Sequence, residues 1–217
     1  GLAGQVAQRR ILRLAPGAQL RADSGGAVSA GGKLSGGVGG TIALTYRPGG
    51  FATPDAAVAG LDLAGLAGGV SAYGIKSGGR LQLNVPSICI GETCGAAQSR
   101  RLDLLPSLFA EGGFQRYDLT ARGGALTVAD GAQIDLQAMN LLPADNFLDY
   151  RSGSDLRDFT TVGLLPAHQR SAADLVLNVR ALNDEGSFTP ERLAAAGGLD
   201  VRTGAVVVTV PAGGGAQ

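Results

Sequence analysis

The chain has 217 residues, and its 18 lysines and arginines equal its 18 aspartates and glutamates, which gives a formal net charge of zero. Because phosphate groups are bound by clustered basic side chains, this balanced and dispersed charge argues against a nucleic-acid-binding protein. Hydrophobic residues make up 45% of the chain, but aromatic residues make up only 5% and Trp is absent, so the composition predicts a narrow interior of stacked aliphatic side chains.

An internal repeat is the clearest pattern in the chain. Three segments read apolar-x-apolar-x-x-Gly-Ala-x-apolar: Leu12–Leu20, Leu126–Ile134 and Leu199–Val207. The alternation predicts a strand with one buried face, and the Gly that follows allows backbone conformations that other residues rarely adopt. Each segment therefore predicts a strand, a corner and a second strand, with Gly17, Gly131 and Gly204 as structural corner glycines.

Weaker copies of the strand pattern occur at Ile42–Leu44, Leu81–Val85, Tyr117–Leu119, Leu175–Val179 and Val208–Val210. The 73 residues from Leu126 to Leu199 fit three turns of about 24 residues, within the periods of solenoid proteins. We therefore predict an all-β fold, a parallel β-helix in which residues 1–217 form a single segment with short helical and loop insertions. An antiparallel β-sandwich is the structural alternative, but the sequence lacks Asn-Gly, and its one Asp-Gly lies inside a repeated corner.

Three segments predict short helices. Thr53-Pro54-Asp55 and Thr189-Pro190-Glu191 each place a capping Thr before a Pro, with an acidic residue in the first turn. The second of these helices is expected to end near Gly197. The third helical or turn-like candidate runs from Pro106 to Glu111, just before Gly112-Gly113.

The two cysteines, Cys89 and Cys94, lie five positions apart. A structural zinc site needs four ligands, and the chain offers only one His, His168, and no further Cys. The pattern favours a short-loop disulfide, formed in an oxidising compartment outside the cytosol, over free thiols or zinc. We predict no metal and no cofactor.

The largest interruption is an insertion at about 140–170, which lacks sustained alternation. Its candidate ligand-contact residues are Asp145, Asp149, Arg151, Asp155 and Asp158, with Arg157, His168 and Arg170 close by in the sequence. The simplest interpretation is a solvated surface loop with local pairs of Asp and Arg. Two alternatives use the same carboxylates: a carbohydrate-binding or polysaccharide-degrading module, and a calcium site. Because the sequence has no Trp platform for a sugar, we predict no catalytic residues and no enzyme. It also has no calcium-binding nonapeptide repeat or EF-hand loop, which argues against the calcium site.

Both ends of the sequence read as strands and not as polar caps. Leu2–Leu14 and Ala205–Val210 place apolar residues at strand-like positions, and the longest apolar runs are far shorter than the ~20 residues that span a bilayer. Each turn of a β-helix leaves its interior open until another turn stacks on it, so we expect a continuation at one end or both. Self-association by end-to-end stacking of turns is one way to supply it.

The block Leu108–Thr120, with Gly112-Gly113-Phe114 followed by Tyr117 and Leu119, resembles exoproteins of the filamentous haemagglutinin family, the secreted partners of bacterial two-partner secretion systems. The similarity continues through Leu126–Leu136 and Leu165–Arg170, and in all extends from about Leu102 to Val179. The amino-terminal secretion domain of such proteins is not evident, so the chain resembles an internal or carboxy-proximal region.

The resemblance implies a right-handed β-helix that serves as the structural shaft of a large exoprotein. It also implies secretion through an outer-membrane transporter partner to the bacterial cell surface. The expected role is adhesion, aggregation or filament formation, through a host or bacterial surface receptor or glycan.

Overall fold

The computed structural model describes residues 12–46, 61–63, 65–66, 68–95, 101–151, 153–180 and 198–209. The strands in these residues are β1 (Leu12–Arg13), β2 (Leu20–Arg21), β3 (Gly26–Val28), β4 (Leu34–Gly36), β5 (Thr41–Thr45), β6 (Leu61–Asp62), β7 (Val70–Ser71), β8 (Gly79–Val85), β9 (Ser87–Ile90), β10 (Arg101–Leu104), β11 (Phe114–Arg122), β12 (Leu126–Val128), β13 (Gln133–Leu136), β14 (Asn140–Pro143), β15 (Thr160–Gly163), β16 (Asp174–Arg180), β17 (Leu199–Val201) and β18 (Val206–Thr209). Short 3-10 helices cover Pro106–Phe109, Phe147–Asp149, Leu156–Asp158 and Ala167–Gln169.

The all-β prediction is confirmed, because strands dominate the described residues and most of them pair in parallel. This pairing also argues against the antiparallel sandwich. The helices predicted after Thr53 and Thr189 lie outside the described residues. In the described part of the chain, no helix has the length and apolar character needed to cross a membrane.

Four strands form a central parallel sheet in the order β5-β8-β11-β16. Leu83 of β8 lies between Leu44 of β5 and Leu119 of β11, and Leu119 lies beside Leu177 of β16. Every second residue of β8 is buried, and Leu83 is only 1% exposed. Because side chains alternate between the faces of a strand, this register stacks apolar residues into a column on one face. The weaker strand copies predicted from the sequence are confirmed. They lie in these four strands and, up to Thr209, in β18.

A second parallel sheet has the order β10-β9-β12-β17. Ile88 of β9 lies between Leu102 of β10 and Leu126 of β12, and Leu126 also pairs with Leu199 of β17. In space β9 lies between β10 and β12, although it precedes β10 in the chain. The chain therefore steps back by one strand position between β9 and β10, which no sequence pattern predicts.

The three corner glycines share one conformation. Gly17, Gly131 and Gly204 have positive φ angles of 83°, 66° and 75°. At each corner the following Ala donates its N–H to the carbonyl three residues earlier, at 3.0 to 3.2 Å, as in a β-turn with Gly at its third position. A Cβ added at Gly17 or Gly131 would meet nothing within 4 Å, so the backbone conformation and not the space requires Gly.

A fourth corner, not found in the sequence pattern, joins β6 to β7. Gly68 has a φ of 68°, and the next residue, Gly69, donates its N–H to the carbonyl of Leu66 at 3.3 Å. The repeat pattern does not match this corner, because Gly68 lies seven positions after Leu61 where the repeat has five, and Gly follows it where the other three have Ala. The strands on either side pair with those of the first corner, β1 with β6 and β2 with β7.

The sequence predicts three turns of about 24 residues between Leu126 and Leu199, and this prediction is wrong. These two residues pair directly on neighbouring strands, so the 73 residues separate one strand from the next and not strands three turns apart. Insertions lengthen this stretch. One of them is the antiparallel hairpin of β14 and β15, in which Asn140 lies opposite Gly163. The predicted insertion at about 140–170 thus leaves the parallel sheets, and it contains three of the short helices.

The interior is not purely aliphatic, contrary to the expectation from composition. The rings of Phe109, Phe114 and Tyr117 are fully buried, with centroids 5.0 Å apart for Phe109 and Tyr117 and 5.7 Å for Phe114 and Tyr117. The Tyr117 hydroxyl donates to the carbonyl of Phe109 at 3.1 Å, which gives this buried polar atom a partner, and burial raises its pKa. Phe109 ends the helix Pro106–Phe109, so the third helical prediction is confirmed.

Candidate ligand cleft

A cleft of about 470 Å³ lies between the insertion and the side of the molecule formed by β2 and β7. Its polar lining includes Arg21, Ser71, Tyr73, Glu111 and Arg157. A second cavity, beside Asn140, measures about 10 Å³, which is room for about one water molecule. The larger cleft therefore has room for a small-molecule ligand.

The strands β2 and β7 supply one wall of the cleft. They pair in parallel, with Leu20 beside Val70 and Arg21 beside Ser71. Val70 is 4% exposed and belongs to the core, so the neighbouring positions Arg21 and Ser71 are left to line the cleft. The corner that precedes β7 adds Gly68 and Gly69 to this wall. A Cβ at Gly69 would collide with the carbonyl oxygens of Gly65 and Ala18, so close backbone packing requires glycine there.

The opposite wall comes from the insertion, and an ion pair ties it to the first wall. The guanidinium of Arg157 bonds to one carboxylate oxygen of Asp23, and the other oxygen accepts the backbone N–H of Tyr73 at 2.9 Å. Leu141 of β14 adds a buried apolar surface. Asp23 therefore joins three parts of the chain: the segment after β2, the segment after β7 and the insertion.

The Tyr73 hydroxyl lies among the charges of the cleft. Burial raises its pKa above the ordinary value, the Gly112 backbone N–H opposes this rise, and the carboxylates of Asp23 and Glu111 add to it. Arg157 lowers it again by a smaller amount. The hydroxyl is therefore protonated at neutral pH and available as a donor.

Ser71 contributes a hydroxyl that is inaccessible to solvent and has no hydrogen-bond partner in the described structure. Buried polar atoms in folded proteins nearly always have a partner, so an unpaired one calls for an explanation. The residue lines the cleft, and rotation of its side chain toward the cleft would let a bound group supply that partner.

The candidate residues chosen from the sequence lie elsewhere. The side chains of Asp145, Asp149, Arg151, Asp155 and Asp158 are all exposed, and none of them lines the cleft. Asp155 accepts the backbone N–H of Arg157 at 3.0 Å and so caps the helix Leu156–Asp158. Among the described ion pairs, none joins two of these five residues. The expectation of local Asp and Arg pairs is wrong for Arg157, whose partner Asp23 is 134 positions away.

No local sequence pattern marks the cleft, because its polar lining comes from four distant segments. Arg21 and Ser71 do occupy equivalent positions, each directly after an apolar residue that follows a corner. The corners alone do not align these two residues, because Arg21 lies four positions after Gly17 and Ser71 lies three positions after Gly68. The approach of Arg157 depends on the path of the insertion, which no repeat specifies.

The cysteines lie apart from the cleft. The Sγ atoms of Cys89 and Cys94 are 2.14 Å apart, at disulfide distance, and their Cα atoms are 6.0 Å apart. A carboxylate oxygen of Asp103 lies within 4.8 Å of both sulfurs. Asp103 accepts the Arg101 guanidinium at 2.6 Å, and both sulfurs are joined to each other, so this arrangement is a disulfide and not a metal-ligand set.

Comparisons with known proteins leave the cleft to be interpreted from its own chemistry. The chain matches no family model, and no curated protein or solved structure is significantly similar to it.

Proposed function

We propose that the described strands are turns of a right-handed parallel β-helix and that this coil is the structural shaft of a secreted bacterial surface protein similar to filamentous haemagglutinin. One observation carries the proposal, the pairing of two strand triplets. β11, β12 and β13 pair in parallel with β16, β17 and β18, respectively. Strands that follow one another in the chain thus stack on three counterparts in the same order, as successive turns of a coil do.

The other strands agree with this interpretation. β8 leads to β9 through Pro86 alone, and the two strands belong to different sheets, as at a corner of a coil. The offset from Tyr117 to Leu175 is 58 residues, and without the insertion at 140–170 it leaves a turn of about 27 residues, within the range of solenoid repeats. We assign the right hand because crossovers between parallel strands of one sheet are nearly always right-handed.

A shaft is the function that this architecture supports best. Its interior is filled by stacked apolar side chains, which leaves the outer faces and loops to contact other molecules. The Cys89–Cys94 pair fits an oxidising compartment, as expected for a secreted protein. The resemblance of residues 102–179 adds the proposed partners: an outer-membrane transporter during export, and a receptor or glycan on a host or bacterial surface.

Surface exposure can be tested on intact cells. In bacteria that produce the full chain in its natural precursor together with the transporter partner, we expect external proteinase K to degrade the protein. In matched cells that lack the transporter, the protein should stay protected, while a periplasmic marker stays protected in both. We also expect the transporter-positive cells to settle faster in a static aggregation assay.

Two results would contradict the proposal. One is complete protection of the protein on intact transporter-positive cells. The other is recovery of the protein in the cytosolic fraction with Cys89 and Cys94 as free thiols, measured by alkylation before cell lysis.

A further inference from the structure

We propose that the cleft lined by Arg21, Ser71, Tyr73, Glu111 and Arg157 binds a neutral sugar unit of a glycan. The proposal does not depend on the shaft, because the described residues build the cleft by themselves. It places carbohydrate recognition on the wall formed by β2 and β7 and not on the exposed carboxylates of the insertion.

The size and openness of the cleft fit a saccharide. Its volume of about 470 Å³ is well above that needed for an ion and falls in the range of small-molecule sites. The cleft is partly open to solvent, so a sugar unit could enter while the rest of a glycan chain continues outward.

The charges of the cleft favour a neutral ligand. Of the charged residues that line the cleft, Arg157 is neutralised by its ion pair with Asp23 behind the lining, which leaves Arg21 as a positive group and Glu111 as a negative group. Neither an anion nor a cation is selected by such a balanced set. A sugar hydroxyl can accept from a guanidinium and donate to a carboxylate at the same time, so planar charged groups of both signs match a polyol.

Two hydroxyl groups strengthen this assignment. The Tyr73 hydroxyl is a protonated donor among the cleft charges, and the Ser71 hydroxyl is buried without a partner. A buried hydroxyl without a partner costs free energy, and rotation of the Ser71 side chain into the cleft would let a ligand hydroxyl recover it. Val162, which is 49% exposed, offers apolar surface for the C–H groups of a sugar ring.

The cleft is proposed to bind and not to cleave. Hydrolysis of a glycosidic bond uses two carboxyl groups that act on opposite sides of the bond. Asp23 is already engaged by Arg157 and by the backbone N–H of Tyr73. Glu111 is then the carboxylate of the cleft that remains available to hydrogen-bond a ligand.

Saturation-transfer difference NMR on the full chain tests the proposal. The probes are maltotriose, chitotriose and β-1,4-galactotriose as neutral saccharides and trigalacturonate as an anionic one. We expect saturation transfer to at least one neutral probe and little to trigalacturonate. Three variants, Arg21→Ala, Tyr73→Phe and Glu111→Gln, should each raise the dissociation constant for that probe by at least about tenfold. This is the loss expected for hydrogen bonds that involve charged or buried groups.

Matched variants outside the cleft provide the controls. Arg202→Ala, Tyr150→Phe and Glu92→Gln remove the same groups elsewhere and should leave the affinity unchanged. Ser71→Ala separates binding from folding, because it removes a hydroxyl that has no partner within the protein. It should weaken binding without lowering the thermal midpoint of unfolding.

Three outcomes would overturn the proposal. The first is no saturation transfer to any neutral probe, and the second is a preference for trigalacturonate. The third is equal weakening by the cleft variants and their matched controls. None of these outcomes bears on the shaft, which the protease experiment tests separately.

Discussion

Asp118 lies at the centre of a group of ion pairs that connects three strands, β8, β11 and β16, on the outer face of the central sheet. Its carboxylate bonds to the guanidinium of Arg80 on β8 and accepts that of Arg116 on its own strand at 3.1 Å. Arg116 also approaches Asp174 of β16, at 3.7 Å. Burial by itself raises the pKa of Asp118, but the hydrogen bonds from the two arginines outweigh it and lower the pKa below the ordinary value of 3.8.

The lowered pKa gives the stability a defined pH dependence. Ionised Asp118 stabilises the fold at every pH above the ordinary carboxyl value, and this contribution is lost as the pH falls below about 3.8 and through the lowered pKa. We expect Asp118→Asn to reduce the free energy of unfolding by about 1–2 kcal/mol at pH 7. In urea titrations the difference from the wild type should shrink progressively as the pH falls below 3.8.

The exposed Asp135 of β13 provides a matched control for this experiment. Asp135→Asn should change the free energy of unfolding by less than about 0.5 kcal/mol at pH 7. A difference between wild type and Asp118→Asn that stays constant down to the lowest pH would contradict the assigned role of the carboxylate.

At the scale of elements, the insertion is held to the parallel sheets by few polar contacts. The side chains that form its main ion pair, Asp23 and Arg157, are 16% and 37% exposed. Exposed ion pairs contribute little to global stability, but this one joins the helix Leu156–Asp158 to the opposite wall of the cleft. The pair should therefore affect local opening more than global unfolding.

Hydrogen exchange can separate these two effects. We expect Arg157→Ala to speed amide exchange in β14 and β15 severalfold, leave β8 and β11 unchanged, and lower the free energy of unfolding by about 1 kcal/mol or less. Arg151→Ala, which removes an exposed Arg from the same insertion, should leave all four strands unchanged. Equal acceleration in β8 and β11 would mean that the insertion does not open as a separate unit.

The elements also show how far sequence reasoning reaches. The corners at Gly17, Gly131 and Gly204 were predictable because a positive φ restricts the residue type locally. The strand cores around Leu83 and Leu119 were predictable because burial of one face imposes alternation. These signals require only neighbouring residues.

Long-range features were not predictable in the same way. The pairing of Leu126 with Leu199 was misread as a three-turn separation because insertions lengthen a turn without altering the pattern at its strands. The position of β9 between β10 and β12 leaves no local mark either. The cleft was missed for the same reason, since Arg157 reaches Asp23 only through the fold of the insertion.

At the scale of the whole molecule, the stack is open at β17. Leu199 and Val201 pair in register with Leu126 and Val128 of β12. The β12 residues are 0% and 2% exposed, whereas Leu199 and Val201 are 52% and 59% exposed. In the described part of the chain, β17 pairs only with β12, so the same apolar column that is buried at one strand is uncovered at the next.

An uncovered column of this kind predicts association between copies of the chain. Fully burying an exposed Leu or Val side chain is worth about 1.5–3 kcal/mol, and these two are about half exposed, so replacing both should weaken self-association by about tenfold or more. We expect the wild type to associate in a concentration-dependent way in sedimentation velocity, and the double variant L199K/V201K to sediment as a monomer.

The control V38K/L148K alters two residues of similar exposure, 56% and 57%, away from β17, and should associate like the wild type. A wild type that stays monomeric at high micromolar concentration would exclude stacking through β17, and equal dispersal by both double variants would show that added charge, not the open strand, controls association.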